Sequence, residues 1–67
     1  MVSDTSTVTP TEQRVLALVC IGEPNKVIAH HLSMAETTVK SHIAALMRKY
    51  GVHNRTRLAY VAGLNRE

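Results

Sequence analysis

Between Met34 and Tyr50 the chain reads MAETTVKSHIAALMRKY, and its apolar residues recur at helical spacing. At about 100° per residue, Val39, Ile43, Leu46, Met47 and Tyr50 fall within about 100° of arc, a stripe that needs a core to bury it. Thr37, Lys40, Ser41, Ala44 and Arg48 gather away from that stripe, and none of them is an acid. A solvated helix face commonly mixes Glu with Lys for i,i+4 pairing, so this second face suits close approach to a partner. The pattern predicts a helix over about 35–50, closed by Gly51.

The remaining segments supply what that helix packs against. In TPTEQRVLALVCIG, Thr9 is a good N-cap, Pro10 suits the first helical position, and Glu12 completes a capping box. Val15, Leu16, Val19 and Cys20 share one face, and Gly22 is placed to end the helix. PNKVIAHHL reads as a short second helix, capped by Asn25, with Val27, Ile28 and Leu32 as apolar contacts. Asn25 and Lys26 stand at its N-terminus, where backbone N–H groups and the helix dipole favour an anion. A turn at Leu32–Met34 leads into the third helix. VHNRTRLAYVAGLNRE gives a fourth, capped by Asn54, with Leu58, Val61 and Ala62 facing inward. Thr56, Tyr60, Gly63 and Leu64 lie on another side of it, a patch that suits self-association. The leading MVSDTST is polar and aperiodic, so residues 1–7 read as a flexible segment or linker remnant and 8–67 as the domain.

Composition narrows the function. With 67 residues, no Trp or Phe and only two Tyr, a small core must be filled by Leu, Ile, Val, Ala and Met. Cys20, the lone cysteine, can form neither an internal disulfide nor a paired-cysteine zinc site, so well-packed helices must carry stability. This predicts a soluble, all-α, four-helix domain of a reducing compartment, the cytoplasm. No apolar run approaches a membrane span, and the N-terminus lacks the pattern of a secretory signal. His30, His31, His42 and His53 match no metal-ligand spacing, and neither a nucleophilic triad nor a Gly-rich phosphate loop is present. No enzyme activity, catalytic residue, metal or cofactor is therefore expected.

Charge is unevenly distributed. Residues 1–24 carry Arg14 against Asp4, Glu12 and Glu23, a net of −2. Residues 25–67 carry seven Lys and Arg against Glu36 and Glu67, a net of +5. A basic half of this kind predicts a polyanionic partner such as nucleic acid. Short hydrogen-bonding side chains on the third helix would let it enter the major groove and reach base edges. Ala29 on the second helix, with Val39 ten residues later, fits a helix-turn-helix, in which Ile28, Leu32, Met34 and Val39 hold the two helices at their angle.

These residues together resemble the LuxR-type helix-turn-helix of LuxR, FixJ and NarL regulators. The resemblance runs from about Val8 to Leu64 through "TP.E" at Thr9–Glu12, "NK.IA" at Asn25–Ala29, "TVK.H" at Thr38–His42 and "RK" at Arg48–Lys49. It implies a sequence-specific DNA-binding domain of a bacterial transcription regulator, with double-stranded DNA as partner. Base contacts would come from Thr37, Lys40, Ser41 and Ala44. Phosphate contacts would come from Asn25, Lys26, Thr38, His42, Lys49 and Arg55. The family commonly dimerises through the fourth helix, which points to Thr56 and Tyr60 and to a homodimer. A chain of 67 residues leaves no room for a receiver or ligand-binding domain, which a longer parent chain would carry.

Three positions depart from the family pattern. Ala35 stands where a Ser or similar cap is usual, Ala44 offers a methyl group where relatives often have a polar reader, and Glu23 occupies a site that is often apolar. Two rival readings keep the same architecture: a sigma-factor-like promoter-reading domain and a protein-interaction module. "TVKSH" followed by "MRKYGV" fits the LuxR type better than the first. Lys40 and Arg48 argue against the second, which would put acids on that face.

Overall fold

A computed structural model describes residues 7–64 of the chain. Four helices follow one another: α1 (Pro10–Cys20), α2 (Asn25–Leu32), α3 (Glu36–Tyr50) and α4 (Arg55–Leu64). The expected lead-in over residues 1–7 lies outside the described residues except for Thr7.

α1 begins as its sequence dictates. The Thr9 hydroxyl accepts from the Glu12 backbone N–H at 3.1 Å, and the Glu12 carboxylate accepts from the Thr9 N–H at 3.0 Å. This reciprocal pair satisfies donors that a helix start otherwise leaves open. α4 is capped as expected too, because Asn54 Oδ1 accepts from the Arg57 N–H at 2.7 Å. α2 is not. Pro24, not Asn25, is its N-cap, and no side chain caps it. Asn25 is already the first helical residue, and its side chain is occupied elsewhere, as described below. α3 likewise starts at Ala35 with no side-chain cap.

Three helices end by the same device, a left-handed residue followed by a backbone bond reaching back into the last turn. After α1 Gly22 has φ 91°, and the Glu23 N–H reaches the Leu18 carbonyl at 3.0 Å. After α3 Gly51 has φ 67°, and the Val52 N–H reaches Met47 at 3.0 Å. After α2 the left-handed position falls on Ser33 at φ 56°, with the Met34 N–H on Ala29 at 3.0 Å. That turn sets α3 across α2.

The core lies between α1, α3 and α4 and continues beneath α2. Val15, Leu16 and Val19 of α1 meet Val39, Ile43 and Leu46 of α3, Leu58 and Ala62 of α4, and Ile28 and Ala29 of α2. Ala29, small as the helix-turn-helix requires, is buried where α2 crosses α3. Met47, Tyr50, Leu32 and Cys20 pack at the margin, while Val27 and Val61 are half-buried and outside the cluster. α1 packs on all three other helices, whereas α2 and α4 share no packing surface among the described residues. α3 is thus held from behind by three elements, and its remaining face is left open.

Candidate nucleic-acid interface

Rigidity of α3 comes from its back. Val39 and Leu46 are fully buried and Ile43 nearly so, which fixes the helix against rotation. On the open side Thr37, Lys40, Ser41 and Arg48 are exposed and Ala44 is half-buried. Their spacing places them on adjacent turns, so four of the five sequence-derived positions project from one surface. One acid adjoins this stripe: Glu36 stands one turn before Lys40, at the helix N-terminus, where the dipole favours it.

The expected flanking residues divide into two groups. Lys26 and Thr38 are exposed and His42 is half-buried. Asn25, Lys49 and Arg55 are each engaged in side-chain hydrogen bonds within the fold. The Lys49 ammonium donates to Glu12 Oε1 at 2.7 Å and to the Thr7 carbonyl at 3.0 Å. The Arg55 guanidinium donates to Asn25 Oδ1 and to the Glu23 carbonyl.

Glu12 does more than cap α1. Its Oε1 receives both the Thr9 N–H and the Lys49 ammonium, so one carboxylate joins the start of α1 to the end of α3. Burial works to raise its pKa, but the bonds from Lys49 and Thr9, with the charges of Lys49 and His42, outweigh burial and hold it below its ordinary value of 4.5. Neither this link nor the Arg55 link could be read from periodicity. Each joins residues thirty or more positions apart.

The local geometry is a helix-turn-helix with an open, acid-poor second helix, and comparison with known proteins decides its lineage. The family described as bacterial regulatory proteins, luxR family, matches residues 6–62. The chain belongs to this family. It is a DNA-binding helix-turn-helix domain of the transcription-regulator class, not a sigma-factor-like one. Its luxR-family relatives include the glycerol metabolism activator of Pseudomonas putida, 51% identical over 49 residues (73% of this chain, 22% of the relative). The nitrate/nitrite response regulator protein NarL of Escherichia coli K12 is 38% identical over 56 residues (84% of this chain, 26% of NarL). The HTH-type transcriptional regulator MalT of Vibrio cholerae is 45% identical over 51 residues (76% of this chain, 6% of MalT). The chain therefore spans about a quarter or less of the length of these relatives.

On the luxR-family domain the remaining side of interest is α4. Thr56 is exposed and Tyr60 is 61% exposed. With Asn54 and Arg57 they line a shallow groove of about 510 Å³. Leu64, at 58%, extends the apolar part of this side, while Ile21, at 70%, is an exposed apolar residue in the α1–α2 turn that periodicity did not single out. Among the described residues no group of three or more His, Cys, Asp or Glu is arranged to hold a metal ion, and no helix is long and apolar enough to cross a membrane.

Proposed function

We propose that this luxR-family domain recognises a specific duplex DNA sequence as a homodimer, with α3 in the major groove. Lys40, Thr37 and Ser41 approach base edges, and the Ala44 methyl meets a thymine methyl. Lys26, the uncapped N-terminus of α2, Thr38 and His42 grip phosphates and set the register without themselves reading sequence. Lys49 and Arg55 hold the frame. One observation carries this reading: α3 is locked from behind by Val39, Ile43 and Leu46, while its opposite side presents short or cationic side chains.

The homodimer forms on the Tyr60 and Thr56 side of α4, so the operator consists of two related half-sites. NarL is named a response regulator and is about four times as long as the matched region, so a receiver or ligand-binding domain is assigned to the parent chain, acting in the cytoplasm. No catalytic role is proposed. Selection of bound sequences from a random duplex library, at two salt concentrations, tests the reading. A two-fold symmetric motif, with binding that weakens steeply as salt rises, is the expected result. Salt-sensitive binding with no enriched motif would contradict sequence recognition. Absence of binding at low salt would contradict the DNA reading altogether.

A further inference from the structure

α2 and α4 do not pack on each other, yet one side chain joins them. Arg55, the first residue of α4, donates from one guanidinium nitrogen to Asn25 Oδ1 and from the other to the Glu23 carbonyl. These acceptors lie on either side of Pro24, whose φ of −72° fixes the backbone between them. The fork therefore holds the point at which the chain leaves the α1–α2 turn and enters α2.

Nothing about α4 itself calls for a cation here. A positive charge at a helix N-terminus opposes the dipole, and Asn54 already caps α4. The arrangement also explains why Asn25 does not cap α2. Its side-chain oxygen is committed to Arg55, and Pro24 offers no side-chain acceptor, so the first turn of α2 keeps its N–H groups for an outside acceptor.

We infer that Arg55 is a positioning residue that acts through Asn25: it does not contact DNA but sets the angle and register of the α2 N-terminus that grips phosphate. The inference rests on the DNA reading above and adds to it a mechanical tie between α4, the proposed dimer helix, and the phosphate-gripping end of α2. Guanidinium is the group this job requires, because its planar fork reaches two acceptors at once, whereas an ammonium is a point charge.

The test separates fork from charge. Arg55→Lys keeps the charge and loses the fork. It should bind the library-selected duplex roughly tenfold more weakly with the salt slope unchanged, while circular dichroism shows the chain fully folded at the assay temperature. The double variant Asn25→Ala/Arg55→Lys should then lose less than the sum of the two single losses, since both residues act on the same end of α2. Wild-type affinity in Arg55→Lys would overturn the inference. So would additive losses, or a salt slope reduced by about one in an Arg55→Gln variant, because those mark a direct phosphate contact.

A second readout needs no DNA. In the free protein, Arg55→Lys should shift the backbone amides of Asn25 and Lys26 and the Asn25 side-chain amide in ¹H–¹⁵N spectra. Arg57→Lys, a control on the same helix, should leave them in place. Unmoved Asn25 signals would refute the link even if the wild-type chain bound no DNA, so its failure is distinct from failure of the DNA reading.

Discussion

Glu12 shows how much one side chain can be asked to do. Its carboxylate closes the capping box of α1 and pairs with Lys49 at the far end of α3. Glu12→Gln keeps an acceptor for the Thr9 N–H but removes the charge, and should cost about 1–2 kcal/mol in urea unfolding. Because folding lowers the Glu12 pKa, the ionised form contributes stability at pH above its ordinary 4.5, and that contribution is lost as pH falls below 4.5 toward the folded value. Wild type should therefore lose stability over this acid range more steeply than Glu12→Gln. Equal slopes in the two proteins would show that the pair contributes nothing. The capping box itself was legible in "TP.E", because its partners are three residues apart. The pairing with Lys49 was not, because it depends on where two helices cross. Asn25 does not cap α2 for a related reason: the N-cap falls one residue earlier, at Pro24, and Arg55, thirty residues away, holds the Asn25 oxygen.

Among the helices, α2 and α3 stand out for starts and stops that depart from the strongest local rules. α3 begins at Ala35 without a side-chain cap. Ala35→Ser should raise stability by about 1 kcal/mol in denaturant unfolding, with amide exchange slowed in the first turn of α3. α2 ends on a serine in the left-handed region, where a Cβ costs roughly 1 kcal/mol and glycine avoids that cost. Ser33→Gly should therefore raise the melting temperature, and a fall would mean that chain entropy outweighs the steric relief. Periodicity and punctuation located all four helices, and the buried residues largely follow the sequence stripes: Val15, Leu16, Val19, Ile28, Val39, Ile43, Leu46, Leu58 and Ala62. Val27 and Val61 failed to reach the core because each lies on the margin of its helix stripe, where neighbouring packing decides burial. A pattern gives the direction of a stripe but not how wide the opposing surface will be.

At the scale of the whole molecule, the domain divides its cations between two tasks. Lys49 and Arg55 tie helices together, leaving Lys26 and Lys40 exposed on α2 and α3. Composition showed the basic half but could not assign those tasks, since the assignment depends on tertiary neighbours. The α4 side should act only when two domains meet. Tyr60→Ala should leave binding to a single half-site unchanged while abolishing cooperative binding to paired half-sites, as read from titrations of both duplexes. Loss of single-site binding would place Tyr60 in the fold or at the DNA instead. Base reading by α3 through Lys40 is tested most directly by comparing Lys40→Ala with Lys26→Ala on the selected duplex and on a scrambled one. Lys40→Ala should lose about 1–3 kcal/mol on the selected duplex and far less on the scrambled one, while Lys26→Ala should weaken both alike. Equal losses on the two duplexes for Lys40→Ala would contradict base reading by that residue.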